Sequence, residues 1–268
     1  MNDPTYNDDR VYWLPEIIES LPEENRQPFG IGMKNFDRAM QGGFRGEDLV
    51  IVAGRSGEGK TTLAQTWTVN LVKRAVPCLW FTYELSVTNL DRKFREMGLN
   101  SDTYLVAAPA YNTTGKLEWV KLKIREAKEK YMTQVIFIDH IDFLVPSDVK
   151  TTDNQSIALK KIATELKTLA IQENVAIVCM AHVRKTESAK ELEMSDIGYS
   201  AGIFQLADYV FMINREEEEQ KRTSILQKNS GQVFKNEAKV KLVKNRLTGE
   251  TVYQYVHHTA GKFWEKGK

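Results

Sequence analysis

The 268-residue sequence has only two cysteines, Cys78 and Cys179, and both sit inside apolar runs, VPCLWF and AIVCMA. Thiols in such settings read as buried and free. They supply neither a disulfide framework nor zinc-finger spacing, so a reducing cytoplasm suits the chain. No apolar stretch approaches the length of a membrane span. The opening residues MNDPTYNDDR are acidic and polar and do not read as a signal peptide. Charge of one sign is also missing: 37 Lys and Arg oppose 36 Asp and Glu, for a net charge of +1. No global field then draws nucleic acid to the chain. Binding of that kind has to come from local loops, or from a ring of copies that gathers charge in a channel. Internal repeats are absent.

What is present is an alternation of buried-strand and helix patterns. Strands are expected at LVIVAG (49–54), CLWFTYE (78–84), QVIFID (134–139) and VAIVCMAH (175–182). Helices are expected at 61–75, 87–98 (ended by Gly98), 117–131 and 156–174. Continuous β-branched strands alternating with helices imply an α/β fold, with a mostly parallel sheet covered on both faces. Late strands follow at 208–214, 239–246 and 251–258, the last two flanking a hairpin turn at Thr248-Gly249. Residues 1–28 read as an amino-terminal arm, because four of the seven prolines fall there. Its apolar patch from Leu14 to Leu21 is a candidate helix that packs either on its own domain or on a neighbour. Residues 29–268 form the main domain. The run EEEEQKR (216–222) reads as a solvated face or loop.

Gly54-Arg55-Ser56-Gly57-Glu58-Gly59-Lys60-Thr61 matches the phosphate-loop pattern G-x-x-x-x-G-K-[ST], with a strand before it and a helix after it. Glycines let backbone N–H groups wrap a phosphate. Lys60 is placed to reach the β- and γ-phosphates of ATP and Thr61 to ligate Mg²⁺, and the helix that continues through Thr62 aims its positive end at the anion. A second carboxylate is needed for the Mg²⁺ shell, and Asp139 supplies it at the end of an apolar strand, where α/β sheets bind ligands. Its plainer reading is a capping residue. Glu84 is the candidate water-activating group, its alternative being a charged exit from a buried strand. His182 ends the next strand, either contacting the γ-phosphate or resting as a satisfied strand-end histidine. No His or Cys cluster accompanies it in sequence, so a transition-metal site is not expected.

With these residues in place, the sequence resembles the RecA-like carboxy-terminal ATPase domain of DnaB-type replicative helicases. It is also similar to the phage primase-helicase and Twinkle branch. The resemblance runs from about Gly30 to Trp264 and includes GIGMKNFDRAMQGGFRGEDLVIVAG, FTYELS, VIFIDHIDFL, MSDIGYSAGIFQLADYVFMINRE and VKNRLTGET. It implies a RecA-like P-loop NTPase in which Glu84 is the catalytic glutamate and Asp139 lies on the metal-binding strand. Asp196, Gly198, Ser200, Gln205 and Asp208 match a further family segment, and Arg215 a position that stacks on the nucleotide base. Lys244 and Arg246, two apart on a strand, point to one side. Without the resemblance they read as solvated basic residues. With it, Arg246 is an arginine finger offered to the neighbouring subunit's γ-phosphate and Lys244 a second positive group.

The same resemblance implies an ATP-dependent motor that moves on single-stranded DNA during DNA replication. It also implies a homo-oligomer, hexameric in this family, and primase or loader proteins as partners. DNA would lie on loops 145–156 and 184–202, which carry Lys150, Arg184, Lys185 and Lys190 beside Glu187, Glu191 and Glu193. Three departures stand out. Ile197 occupies a position where relatives carry arginine near DNA, His182 replaces the glutamine typical of DnaB, and His140 falls where DnaB often has tyrosine. The alternative reading is a RecA- or KaiC-like ATPase without unwinding activity, a nucleotide-switched DNA-binding or assembly scaffold.

Overall fold

The computed structural model describes residues 13–15, 27–108, 116–146, 149, 152–183, 201–217 and 234–265. The candidate arm helix lies almost wholly outside these residues. So do Lys150, the basic and acidic residues of 184–193, Asp196, Ile197, Gly198 and Ser200.

The strands are β1 Leu49–Gly54, β2 Cys78–Thr82, β3 Leu105–Ala107, β4 Val135–Asp139, β5 Ala176–His182, β6 Tyr209–Glu217, β7 Phe234–Asn245, β8 Val252–Thr259 and β9 Lys262–Glu265. The helices are α1 Lys34–Ala39, α2 Lys60–Val72, α3 Val87–Glu96, α4 Lys116–Tyr131, α5 Thr152–Glu173 and α6 Ala201–Leu206. All nine strands join one sheet in the order β3-β2-β4-β5-β1-β6-β7-β8-β9. Pairing is parallel from β3 to β6 and antiparallel from β6 to β9. A mostly parallel sheet with late antiparallel strands is what the apolar runs predict.

Side chains alternate along each parallel strand between two cores. Val50, Val52, Trp80, Phe137 and Val178 face one core, packed by Leu63, Trp67 and Leu71 of α2 and by Leu90 and Phe94 of α3. Leu49, Ile51, Phe81, Ile138 and Ile177 face the other, packed by Val120 and Ile124 of α4, by Ile162 and Leu166 of α5, and by Ile203 and Phe204 of α6. This explains why strands such as LVIVAG show no polar alternation: both faces are dry. Trp80 stacks on Phe137 at 5.0 Å and donates its indole N–H to Thr68 Oγ1 at 3.0 Å, so its one polar atom is satisfied inside the core. Cys78 and Cys179 are buried and free.

The expected hairpin turn is present between β7 and β8. Gly249 takes φ +72° and donates its N–H to Asn245 O at 2.9 Å. The Asn245 amide closes the turn by donating to Thr248 Oγ1 at 2.7 Å and to Ala39 O at 2.9 Å. Four elements have no clear counterpart in the sequence patterns: α1, β3, α6 and β9. Each is six residues or shorter, too short to display a period.

Asp208 organises the amino-terminal edge of the parallel sheet. Its carboxylate accepts the Leu49 N–H at 2.8 Å, the Lys167 ammonium at 2.7 Å and the Arg246 guanidinium at 3.1 Å. Asp48 lies beside this group. Burial pushes its carboxyl up to about 7, the Asp208 charge adds to the rise, and the Arg45 N–H and Lys167 oppose it. A carboxyl with a raised folded-state pKa binds its proton more tightly when folded. Stability therefore falls as pH rises from the ordinary Asp range, near 4, through about 7. Asp48→Asn, which mimics the protonated form, is expected to raise the urea midpoint at pH 8 and to change it little at pH 5. Equal midpoint changes at both pH values would count against this origin.

Candidate nucleotide site

Four neighbouring strands, β2, β4, β5 and β1, end at one edge of the sheet and bring the candidate residues together. The loop after β1 turns on Gly57 (φ +83°) and Gly59 (φ +104°). A Cβ on Gly59 would lie 2.8 Å from the Phe263 ring, so both the backbone angle and the space require glycine there. Gly54 is buried, Arg55 half-buried, and Ser56 and Gly57 stand exposed at the loop tip. Glu58 is 1% exposed and turns inward. It accepts the Arg55 N–H at 2.6 Å, and its second oxygen lies 3.5 Å from the Arg55 guanidinium. It also takes the backbone N–H of Arg215. Burial raises the Glu58 carboxyl, and the Arg55 contacts and Lys60 oppose the rise. Its side chain thus braces the loop against β6, leaving the loop amides to face a ligand. The same contact sets Arg215 beside the loop, on the outgoing part of β6.

Helix α2 begins at Lys60, and Thr62 sits in its first turn with its carbonyl held by the Thr66 hydroxyl at 2.8 Å. Lys60 is 6% exposed and folds back over the loop. Its ammonium donates to Gly54 O and Arg55 O, both at 3.0 Å, and to His182 Nδ1 at 3.2 Å. Burial lowers its pKa, while Asp139, Glu58, Glu84 and Asp142 pull the other way. An ammonium can only donate, so Nδ1 of His182 is the acceptor and the ring proton rests on Nε2. Burial, then Lys60 and His140, hold His182 below its ordinary value, which keeps the ring neutral. A neutral imidazole with Nε2–H can donate one hydrogen bond to an anionic oxygen.

Asp139 ends β4 as expected and is 2% exposed. Its Oδ2 accepts the Thr61 hydroxyl at 2.8 Å. A hydroxyl and a carboxylate oxygen this close, beside the helix amino terminus, are a donor set of the kind Mg²⁺ takes. Burial raises the Asp139 carboxyl and nearby Glu84 adds to the rise, so a bound cation would relieve an unfavourable pairing of acids. The loop and this oxygen pair fit a nucleotide with its metal.

Glu84 requires a correction of position. Strand β2 ends at Thr82, not at Glu84. The Tyr83 N–H still bonds Asp139 O at 3.0 Å, but the Thr82 hydroxyl then reaches Leu85 O and turns the chain. Glu84 therefore stands exposed on a bend at the mouth of the site, two residues before the Ser86 cap of α3. The expectation that His182 stands without ligand-type neighbours is also overturned. Ligand atoms of Glu84, His140 and His182 all lie within 4.8 Å of one another. Sequence reasoning noted His140 only as a departure and missed Asp142. Their one local signal is adjacency to Asp139. The His140 and His182 rings meet edge to face at 4.3 Å. His140 Nδ1 approaches Asp142 Oδ2 at 3.0 Å, in ion-pair range but off the hydrogen-bond line. Burial works to raise Asp142, yet the His140 imidazole and the ring and backbone N–H of His182 outweigh it and hold the carboxyl low.

Lys244 and Arg246 do not join this cluster. Lys244 pairs with Val210 and Asn245 with Tyr209, and Tyr209 pairs with Val50 near the start of β1. Both residues thus lie at the amino-terminal edge, across the sheet from Lys60. Lys244 donates to Phe204 O and Gln205 O at 2.8 Å each, and Arg246 donates to Gln205 O at 2.9 Å and to Asp208. They converge on the carboxy-terminal end of α6, as residues on one side of the strand should. Burial and the Arg246 charge lower the Lys244 pKa.

The chain matches the family described as the DnaB-like helicase C-terminal domain over residues 29–103 and 99–263. It is 23% identical over 245 residues to the replicative DNA helicase DnaB of Treponema pallidum (strain Nichols), covering 80% of this chain and 55% of that protein. It is 27% identical over 180 residues to the DNA repair protein RadA of Escherichia coli (strain K12), covering 67% of this chain and 36% of that one. The chain thus spans about half the length of the DnaB relative. Among solved structures, the ATPase domain of a phage helicase superposes with a TM-score of 0.74 at 18% identity, covering 94% of this chain and 96% of that one. A DnaB-like replicative helicase studied with primase superposes at 0.71, covering 93% and 66%. These two likenesses establish a shared fold. Continuous through both cores and through the edge that carries Lys60 and Asp139, the family match shows that the chain belongs to the DnaB-like helicase C-terminal domain family.

Proposed function

We propose that this domain hydrolyses Mg-ATP at interfaces between copies of itself and uses the cycle to move along single-stranded DNA in replication. The observation that carries the reading is the split of the charged machinery between two edges of one sheet. Lys60, Thr61, Asp139, Glu84 and His182 gather at one edge, and Lys244 and Arg246 stand at the other. A finger that cannot reach its own phosphate loop can act only on a neighbour's. A closed ring is the arrangement in which every site then receives one, and a hexamer is the expected size.

In this reading the loop amides and Lys60 hold the phosphates. Thr61 and Asp139 hold Mg²⁺, which neutralises charge on the phosphate oxygens. Glu84, at the exposed mouth, orients and deprotonates the attacking water. His182 donates Nε2–H to the γ-phosphate, and Arg215 lies where it can flank the base. Lys60 leaves Gly54 O, Arg55 O and His182 Nδ1 to do this, so phosphate entry frees the histidine as well as the lysine. Arg246 and Lys244 of the neighbour complete the charge around the transition state. Primase or a loader is the expected protein partner.

Steady-state Mg-ATP hydrolysis, with and without single-stranded DNA at low and moderate salt, tests the motor. Stimulation of about tenfold or more is expected, weakening with salt as phosphate contacts are screened. The similarity to RadA favours one second reading, a RecA-like ATPase that assembles without unwinding. Unstimulated hydrolysis with assembly intact would select it.

A further inference from the structure

We propose that Glu84, His140 and His182 form a site for a transition-metal ion, best Zn²⁺, distinct from the Mg²⁺ position at Thr61 and Asp139, and that its occupancy arrests hydrolysis. Three neighbouring strands, β2, β4 and β5, each present one ligand at or just beyond their carboxy-terminal ends. The ligand atoms lie within 4.8 Å of one another. Around a tetrahedral Zn²⁺ with bonds near 2.0–2.2 Å they would sit about 3.4 Å apart. The collapse required is roughly an ångström, within reach of an exposed glutamate on a bend. Two imidazoles and one carboxylate with an open fourth position are a zinc set, whereas Mg²⁺ prefers oxygen alone.

A second observation makes the site more than three nearby side chains. His140 Nδ1 and Asp142 Oδ2 are buried 3.0 Å apart, and neither has a hydrogen bond among the described residues. A metal-bound imidazole is a stronger donor through its other nitrogen, and a buried carboxylate in that position is its usual support. Asp142 is itself fixed by the His182 backbone N–H, so the supporting shell ties two of the three ligands together.

Lys60 links the metal to nucleotide. It now donates to His182 Nδ1. A metal on Nδ1 takes the lone pair that Lys60 uses. A metal on Nε2 forces the ring proton onto Nδ1, against the ammonium. Either way Lys60 has to leave His182, and the phosphates are its alternative partner. Zinc and ATP are therefore compatible, and the complex is inactive because Glu84 is a ligand and no longer a base. The metal site rests on geometry alone; the arrest rests on the role proposed for Glu84.

The test is a titration of Zn²⁺ into the nucleotide-free, metal-stripped full chain against a chromophoric zinc chelator. One Zn²⁺ per chain is expected, with affinity at least tenfold weaker in His140→Phe and in Glu84→Gln. The second variant alters only an exposed side chain, so the test survives if the first folds poorly. Co²⁺ in place of Zn²⁺ should give the visible d–d absorption of a four- or five-coordinate ion. In Mg-ATP hydrolysis, Zn²⁺ should lower kcat at least tenfold without raising KM for ATP, and His140→Phe should stay active and resist it. Absence of binding, or binding undiminished in both variants, overturns the site. One bound Zn²⁺ in a protein that hydrolyses no ATP would keep the site and discard the ATPase reading.

Discussion

Lys60→Ala is expected to reduce Mg-ATP turnover at least a thousandfold while the chain stays folded. The size follows from what the ammonium does. Among the described residues it is the buried cation folded over the loop, and a charge placed where phosphate charge develops supplies about 4 kcal/mol or more of transition-state stabilisation for each thousandfold in rate. Folding should tolerate the loss because two effects oppose. The variant forfeits bonds to Gly54 O, Arg55 O and His182 Nδ1, but it also removes a buried ammonium whose pKa burial has already lowered. Lys60→Met, which keeps the apolar stem, provides the control if alanine opens a cavity. Circular dichroism and a urea midpoint close to wild type, with turnover lost in both variants, is the predicted pattern. Normal turnover in either would remove Lys60 from the mechanism.

Arg246→Ala is expected to lower turnover by about three orders of magnitude, the low end of what an arginine finger contributes in trans. Within one chain the side chain is half-exposed and shares Asp208 with Lys167 and the Leu49 N–H. An ion pair so exposed contributes about 0–1 kcal/mol, so stability should barely change. Mixing provides the decisive arm. Arg246→Ala and Lys60→Ala chains, each inactive alone, should recover part of the turnover when allowed to exchange subunits, because some interfaces then join an intact phosphate loop to an intact finger. No recovery from a mixture shown to exchange would place the catalytic charge elsewhere. The finger must also leave Asp208 or share it, so Asp208 is where assembly and the single-chain fold meet.

Much of this was legible in the sequence for physical reasons that differ by residue. Strands β1, β4 and β5 were readable because both of their faces are buried, which forbids polar residues until the strand ends. For the same reason Asp139 and His182 marked the sheet edge. The phosphate loop was readable because its spacing is local. Glu84 was misplaced by two residues: Tyr83 is apolar enough to prolong the strand pattern, but the Thr82 hydroxyl caps Leu85 and bends the chain. The Glu84, His140 and His182 group was hidden because its members come from three separate strands, and only the strand order brings them together. The inward turn of Glu58 was hidden too, since its position in the loop pattern accepts any residue. The opposition of Lys60 and Arg246 across the sheet emerges only from the β1-β6-β7 register.

The sheet ends in its two shortest strands among the described residues, three-residue β3 on one side and four-residue β9 on the other. Long bare margins invite strand-by-strand growth into fibres, and short ones offer too few backbone bonds to hold an arriving chain. On β9 the margin also carries Lys262 and Glu265 at its two ends, which discourages a flat apolar partner. A protein present at the concentrations that self-assembly requires thus has its polymerising direction blunted. Copies are left to meet through loops and faces, where contacts can loosen and re-form with each catalytic cycle, and not through a continuous hydrogen-bonded seam that would lock them together.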